Sequence, residues 1–277
     1  MNQIQAEKLQ LRKGARKRSE IPDEVLQSLN QGKIETVNLV EWLAIDMSVL
    51  LKNILIELDL ADVHRLHITS AVIQNVGIIK RLQGIGEALF HVLKECDNRL
   101  SVFEFLANHP SDMVRDWACF TVAADKFLSL PERLQATRRF AGDGNMSVRE
   151  CAWESLRSYL VEDLEHSLNL LLPWVKDQDP NIRRCAVEAT RPCGVWCKHI
   201  LALKEHPEPG LIILEEVRSD ASNYVQRSVA NWLNDASKTR PDWVINVCNR
   251  WQKESSTQAT NWIVKHATRT LSKKKKK

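Results

Sequence analysis

The chain has 277 residues, a formal net charge of +4 and 44% hydrophobic residues, enough to bury a large core. No apolar run reaches the roughly 18 residues that span a bilayer, and the N-terminus lacks the apolar core of a secretory signal. We therefore expect a cytoplasmic protein with no membrane partner. The seven cysteines, an odd number without paired CxxC spacing, are typical of reduced thiols rather than of a disulfide framework.

The positive charge is concentrated at the two ends of the chain. Six basic side chains lie within residues 1–20, and residues 273–277 are all lysine. The rest carries 28 basic and 33 acidic side chains, a net charge of −5. This distribution predicts a flexible basic segment at residues 1–20, a single domain at residues 21–272 and a lysine tail, with any nucleic-acid groove confined to a local patch.

Helical periodicity runs along the chain. The stretch Ile21–Glu24 predicts a helix start, because proline suits the first turn and acids complement the helix dipole. Apolar residues then repeat at helical spacing from Leu39 to Leu58 and from Val72 to Leu93. No alternating strand pattern is present, so the sequence predicts an all-α protein.

One helix-start motif repeats, each time after a short polar turn. Val114, Val148 and Ile182 occupy the same place in it and recur every 34 residues, and Val225 and Ile263 continue the series at longer steps. Nearly identical junctions at constant spacing argue against a nonrepetitive helical bundle. They predict a HEAT-like solenoid of helical hairpins, which we expect to present a concave DNA-binding face.

The segment from Asn181 to Trp196 combines an apolar helix face with a polar stripe. The stripe carries Arg184, Glu188 and Arg191, close to the Trp196 indole, a set that suits a cationic or nucleotide ligand. Taken alone, an ordinary Arg184–Glu188 ion pair and a core tryptophan explain the segment as well. The apolar face consists of Ile182, Cys185, Ala186 and Ala189.

A zinc site is a further possibility in the same region. Cys193, Cys197 and His199 are closely spaced and of the right type. A fourth ligand at a suitable spacing is missing, and free cysteines are commonly small core residues. We therefore predict no metal and no cofactor.

Four segments carry a resemblance to a known family. They read IPDEVLQSLNQGKIETVNLVEWLAID, VEATRPCGVW, SNYVQRSVANWLNDASKTRPDWV and TNWIVKHATRTL. From about Ile21 to Leu271 the chain resembles the AlkC branch of the AlkD-like DNA alkylation repair enzymes. The resemblance implies a monofunctional DNA glycosylase that acts as a monomer on double-stranded DNA. It would remove cationic alkylated bases such as 3-methyladenine without fully flipping the base.

The resemblance also implies site residues. Glu188 and Trp196 match an EGTRP-like segment of the family and Asp235 an NDISK-like one, while Glu150 is the best match to a further acid. A cationic base leaves readily, so one carboxylate would stabilise the positive charge that develops on the deoxyribose and another would orient water. Asp235 and Glu188 are assigned these tasks, and Trp196 would stack against the sugar or the lesion. The expected phosphate contacts are Arg184, Arg191 and Arg227.

The chain departs from the family at two positions of the central segment. Cys193 stands where the family usually has an arginine, and Val195 where it has a proline, which weakens the expected phosphate anchoring and loop rigidity. Two other interpretations stay open at this point. One is a noncatalytic HEAT-like scaffold that binds branched or damaged DNA or a protein partner, and the other is a general protein-interaction solenoid.

Overall fold

The computed structural model describes residues 11–60, 76–194 and 197–274. These residues form helices joined by turns, and none of them lies in a strand, which confirms the all-α prediction. Within the same ranges, no helix combines the length and the apolar character that crossing a membrane requires.

The helices are numbered here in chain order. They are α1 Asp23–Asn30, α2 Leu39–Ala44, α3 Met47–Glu57, α4 Ile78–Glu95, α5 Arg99–Ala107, α6 Asp112–Ala124, α7 Leu130–Ala141, α8 Met146–Leu160, α9 Leu164–Val175, α10 Pro180–Ala189, α11 Leu201–Glu205, α12 Leu211–Glu216, α13 Asn223–Ala236, α14 Pro241–Glu254, α15 Gln258–Ala267 and α16 Arg269–Lys274. Short 3-10 turns lie at Arg18–Glu20 and Glu208–Gly210.

The chain divides into two compact units. The first unit comprises Met1–Leu128 and Asp143–Ala152, and the second comprises Ser129–Gly142 and Trp153–Lys277. The single domain expected over residues 21–272 therefore stays a prediction. In the first unit, Arg12 lies in the segment expected to be flexible, yet its guanidinium donates to the Glu41 carboxylate, with Nε 3.1 Å from Oε1.

Helix boundaries near the N-terminus follow local capping. Helix α1 begins directly after Pro22, as the sequence predicts. The single helix expected from Leu39 to Leu58 is wrong, because the chain breaks into α2 and α3. The Asp46 carboxylate accepts from the backbone N–H groups of Ser48 and Val49, at 2.9 and 3.2 Å, and so starts a new helix. The helix expected at Val72–Leu93 begins, within the described residues, at Ile78.

The sequence repeat has a structural basis in one side chain per repeat. The residue after each of the first four repeated apolar positions reaches back and donates to a backbone carbonyl in the turn before its own helix. These donors satisfy carbonyl groups that the turn leaves without helical partners. The donors are Arg115, Arg149, Arg183 and Gln226, and they bond the carbonyl oxygens of His109, Asp143, Asp177 and Asp220 at 2.7, 2.6, 2.8 and 2.8 Å.

Candidate active site

The candidate site lies in the second unit, at the C-terminal ends of helices α10 and α13. Helix α10 starts with Pro180 in its first turn and with the Asp179 carboxylate accepting from the Asn181 N–H at 2.8 Å. Its predicted apolar face is buried, with Ile182 and Cys185 each 2% exposed. Because the helix ends at Ala189, its last turn carries the first candidate acid.

That acid, Glu188, is almost fully buried, with 3% of its surface exposed. Its Oε1 accepts from the Ser228 hydroxyl at 2.6 Å, and its Oε2 accepts from Arg191 Nη1 at 2.9 Å. Arg184 Nη2 lies 3.7 Å from Oε1. Burial alone raises the pKa of a carboxyl group, but the charges of Arg184 and Arg191 and the Ser228 hydrogen bond bring the Glu188 pKa below its usual value.

The second acid, Asp235, lies in the last turn of α13 and is 4% exposed. Its Oδ2 accepts from Nε and Nη2 of Arg191, at 3.0 and 2.8 Å, and its Oδ1 accepts from Lys238 Nζ at 2.8 Å. The Lys238 pairing was foreseeable, because Lys238 follows Asp235 by three residues on the helical register. The Arg191 contact was not, because it joins two distant parts of the chain.

Arg191 therefore connects the two acids. One edge of its guanidinium binds Asp235 and the other binds Glu188, so Nε, Nη1 and Nη2 all donate to carboxylate oxygens. The two carboxylates outweigh the burial of the arginine and raise its pKa above the usual value. The result is a fixed acid–guanidinium–acid arrangement, which we call the Arg191 bridge.

The loop that follows α10 is held by a buried arginine from α8. Arg157 is 5% exposed, and its guanidinium donates to the carbonyl oxygens of Ala189, Arg191 and Lys198 at 3.1, 2.9 and 2.9 Å. These bonds clamp both ends of the loop. Sequence reasoning missed Arg157, because nothing in its neighbours shows which arginine will be buried. Trp196 and Val195, within this loop, lie outside the described residues.

A cavity of about 400 Å³ opens beside the bridge. Asp235 is among the described residues that line it, whereas Glu188 is not. A ligand in this cavity would therefore lie beside Asp235. The described lining residues are Arg191, Cys193, Gly194, His199, Lys204, Asp235, Lys238 and Thr239.

The remaining predicted residues lie in different surroundings. Arg184 is buried and stacks over the Tyr224 ring, with its guanidinium carbon 4.3 Å from the ring centre. Arg227 is exposed on α13. Glu150 belongs to the first unit, whereas Glu188 and Asp235 belong to the second.

Repeat counting points to a different acid in the place of Glu150. The residue 34 positions before Glu188 is Glu154, which lies in the second unit with the rest of the site. Burial is the largest cause that raises the pKa of the Cys197 thiol to about 11, and the charge of Arg157 opposes the rise. The Glu154 carboxylate accepts a hydrogen bond from this thiol and raises its pKa further. Glu154 therefore lies beside the loop that Arg157 clamps, and strict use of the 34-residue spacing finds it.

These features define a class: an all-α protein with two buried, ion-paired acids beside a cationic cavity. Comparison with known proteins adds a family likeness. Residues 143–271 match the model of the DNA alkylation repair enzyme family. This part of the chain is therefore similar to DNA alkylation repair enzymes.

Individual proteins show likenesses of the same kind. The chain is similar to the protein YhaZ of Bacillus subtilis strain 168, with 44% identity over 120 residues that cover 43% of this chain and 33% of YhaZ. It is also similar to the alkylpurine DNA glycosylase AlkC of Pseudomonas fluorescens bound to DNA containing an abasic site analogue. That likeness has a TM-score of 0.59 and 26% identity and covers 73% of this chain.

A third likeness supports the fold alone. AlkD2 of Streptococcus mutans superposes with a TM-score of 0.56 at 22% identity, over 77% of this chain and 97% of AlkD2. The chain thus spans nearly the whole of AlkD2. It spans a third of YhaZ and 55% of the AlkC chain.

Proposed function

We propose that the chain is a monofunctional DNA N-glycosylase that hydrolyses the bond between deoxyribose and a cationic alkylated base of the 3-methyladenine type. The observation that carries the proposal is the Arg191 bridge, whose Asp235 is among the residues that line a 400 Å³ cavity. The similarity to AlkC, an alkylpurine DNA glycosylase, supports the same substrate class. We propose further that the chain acts as a monomer on double-stranded DNA and, as the resemblance implies, without fully extruding the base.

The chemistry needs a fixed negative charge more than it needs an acid. A base alkylated on a ring nitrogen is already positively charged and leaves without being protonated, so the barrier lies in the positive charge that develops on the sugar. A carboxylate that is oriented before the reaction stabilises that charge without having to reorganise. Asp235 fits this role because Arg191 and Lys238 fix both of its oxygens in place.

The other predicted residues take supporting roles in this proposal. Glu188 fixes Arg191 through its Nη1 group and is our candidate for orienting the attacking water. Trp196 is proposed to stack against the sugar or the lesion, and Arg184 and Arg227 to contact phosphates. Glu150 keeps its predicted catalytic role as a proposal. Glu154 is added as a candidate because it shares the unit and the repeat position of Glu188.

The decisive experiment compares base release and DNA binding in one variant. Asp235→Asn keeps the shape of the side chain but removes its charge, so it acts on the transition state rather than on the bound ground state. Single-turnover release of 3-methyladenine from a methylated duplex should fall by about two to three orders of magnitude, as for the loss of one preorganised electrostatic group. Affinity for the same duplex should hold or rise, because a negative charge near the phosphates is removed.

A matched control is Asp242→Asn, the same change at an exposed position in the first turn of α14. It should release the base at the wild-type rate. Release by Asp235→Asn at that rate would make Asp235 a structural acid. If the wild type itself releases no base yet binds the duplex tightly, the noncatalytic DNA scaffold is the correct function.

A further inference from the structure

The cavity beside the Arg191 bridge carries more positive than negative charge. Among the described residues that line it, three side chains are basic and one is an acid. Arg191 and Lys238 are already ion-paired with that acid, Asp235. The third basic side chain is that of Lys204, and it takes no part in the ion pairs of Asp235.

Lys204 stands apart because its surroundings leave its ammonium group available. No carboxylate of residues 11–60, 76–194 and 197–274 forms an ion pair with it. The nearby acid Glu208 pairs instead with Arg240, at 2.7 Å. The Thr239 hydroxyl donates to the Lys204 carbonyl oxygen at 2.5 Å, which joins the backbone of α11 to the end of α13. A half-exposed lysine is thus held at the cavity wall without an acidic partner.

We propose that Lys204, together with His199 and the remaining N–H groups of Lys238, binds a phosphodiester of the DNA backbone directly next to the lesion nucleotide. This inference rests on the proposed function, because the position of the sugar fixes the position of the phosphate. A deoxyribose placed against Asp235 carries its own phosphates, so one of them must enter or border the same cavity. A cavity of 400 Å³ is within the range that holds a ligand of this size.

The proposal gives Arg191 and Lys204 different roles. Arg191 directs Nε and both terminal nitrogens to carboxylates, so binding a phosphate would draw it away from the acids that it holds. Lys204 carries the same charge without that commitment, and a lysine is a suitable point charge for a phosphate. The acid that stabilises the sugar and the cation that anchors the backbone are thereby separate residues.

The test combines protein variants with neutralised phosphates. Binding is measured on a labelled duplex with one abasic-site analogue, and on duplexes in which a neutral methylphosphonate replaces one phosphate at a time around it. Lys204→Ala should weaken binding roughly 3- to 10-fold at moderate salt and reduce the salt slope by about one, as for one lost phosphate contact. Lys204→Arg should restore most of the affinity, and Lys253→Ala, at an exposed position of α14, should change neither value.

The most informative result is whether the effects of Lys204→Ala and of the methylphosphonate depend on each other. At one phosphate beside the lesion, the methylphosphonate should weaken binding by the wild type and leave binding by Lys204→Ala unchanged. Equal losses for both proteins at every phosphate would overturn the proposal, and so would an unchanged salt slope in Lys204→Ala. The proposed function can fail separately. If the wild type releases no base but Lys204 still couples to one phosphate, the binding site stands without the enzyme.

Discussion

The two units of the protein each bury a pair of acids, but the groups that contact the acids differ between the units. In the first unit, Asp112 and Asp116 of α6 are both fully buried. In the second unit, Glu188 and Asp235 are nearly as buried, but Arg191 lies between them. Within the described parts of the chain, a cation bridges the second pair of acids and none bridges the first.

The donors in the first unit are almost all neutral. Asp112 accepts from the Thr36 N–H and from the Ser147 hydroxyl, each at 3.0 Å, and Asp116 Oδ2 accepts from the Trp42 indole N–H at 2.7 Å. Burial is the largest cause that raises the Asp116 pKa far above its usual value, and the Asp112 charge adds to it. Burial likewise raises the pKa of Asp112.

The comparison shows that the bridging cation, and not burial, decides what a buried acid can do. In the first unit, hydrogen bonds from neutral groups use the two carboxyl groups to connect segments of the chain. They connect α6 to the residue Thr36 before α2, to Trp42 within α2 and to Ser147 of α8. In the second unit the Arg191 guanidinium forms ion pairs with both carboxylates, and a preorganised acidic group of this kind can stabilise a developing cation. We therefore infer a structural role for the first pair and a chemical role for the second.

The largest expected effect comes from removing the bridge itself. Arg191→Met keeps the length of the side chain but leaves two buried carboxylates without their shared partner. Losing one partner of a buried ion pair typically costs about 3 to 5 kcal/mol, so the free energy of unfolding should fall by that amount. Chemical denaturation at neutral pH measures it.

The control for this change is Arg250→Met. Arg250 pairs with Glu215, but its side chain is 42% exposed, so its loss should cost no more than about 1 kcal/mol. Adding Glu188→Gln and Asp235→Asn to Arg191→Met should recover much of the lost stability, because the stranded charges disappear. A cost for Arg191→Met as small as that for Arg250→Met would show that the two acids are solvated, and the contrast between the units would vanish.

The fold was largely predictable, because it depends on periodic patterns. The apolar spacing gives the helices, and the 34-residue spacing of Val114, Val148 and Ile182 marks equivalent helix starts. The break between α2 and α3 was not predicted. It depends on one capping carboxylate, Asp46, within a continuous apolar pattern, and periodicity does not register a cap.

The sequence predicted which acids belong to the candidate site but not how they contact each other's partners. The resemblance selects Glu188 and Asp235, and the structure places them on one guanidinium. The resemblance implies a phosphate contact for Arg191, whereas the structure pairs Arg191 with two acids. This pairing depends on a tertiary contact between α10 and α13, which no local pattern encodes. The same holds for the clamp made by Arg157, since two carbonyl groups of the last turn of α10 and two of the following loop converge on it only after folding.

A smaller effect is expected at Glu188, and it should depend on pH. The folded-state pKa of Glu188 is lowered by Arg184 and Arg191, so the carboxylate adds stability above its unfolded pKa and loses it as the pH falls through the folded value. Glu188→Gln should therefore cost roughly 2 kcal/mol at neutral pH, the range for hydrogen bonds to a charged group. The difference from the wild type should shrink steadily in acid.

Denaturation across a pH series tests this, with the exposed Glu165→Gln of α9 as the matched control. The control should follow the wild type at every pH. A cost for Glu188→Gln that stays constant down to acid pH would mean that shape and packing, rather than charge, determine the contribution of Glu188.

The smallest effect is expected in the first unit, at Asp116. Because its folded-state pKa is raised far above the usual value, the carboxyl group is protonated when folded over a range in which the unfolded chain is ionised. The folded state then binds more protons, so the wild-type contribution to stability falls as the pH rises from the unfolded pKa towards the folded one. Asparagine has nearly the same shape and cannot ionise, so Asp116→Asn removes this loss.

At neutral pH we therefore expect Asp116→Asn to raise the free energy of unfolding by no more than about 1 kcal/mol, because the desolvation of the new amide N–H groups offsets most of the gain. In acid the variant should lose that advantage, which is the opposite trend to Glu188→Gln. Thermal unfolding over a pH series, beside the exposed Asp97→Asn, measures both trends. A cost of several kcal/mol at neutral pH would show that Asp116 is ionised in the folded state. The first unit would then also hold a buried charged acid. The contrast between the two units could then no longer be used to assign the chemical role to the second unit.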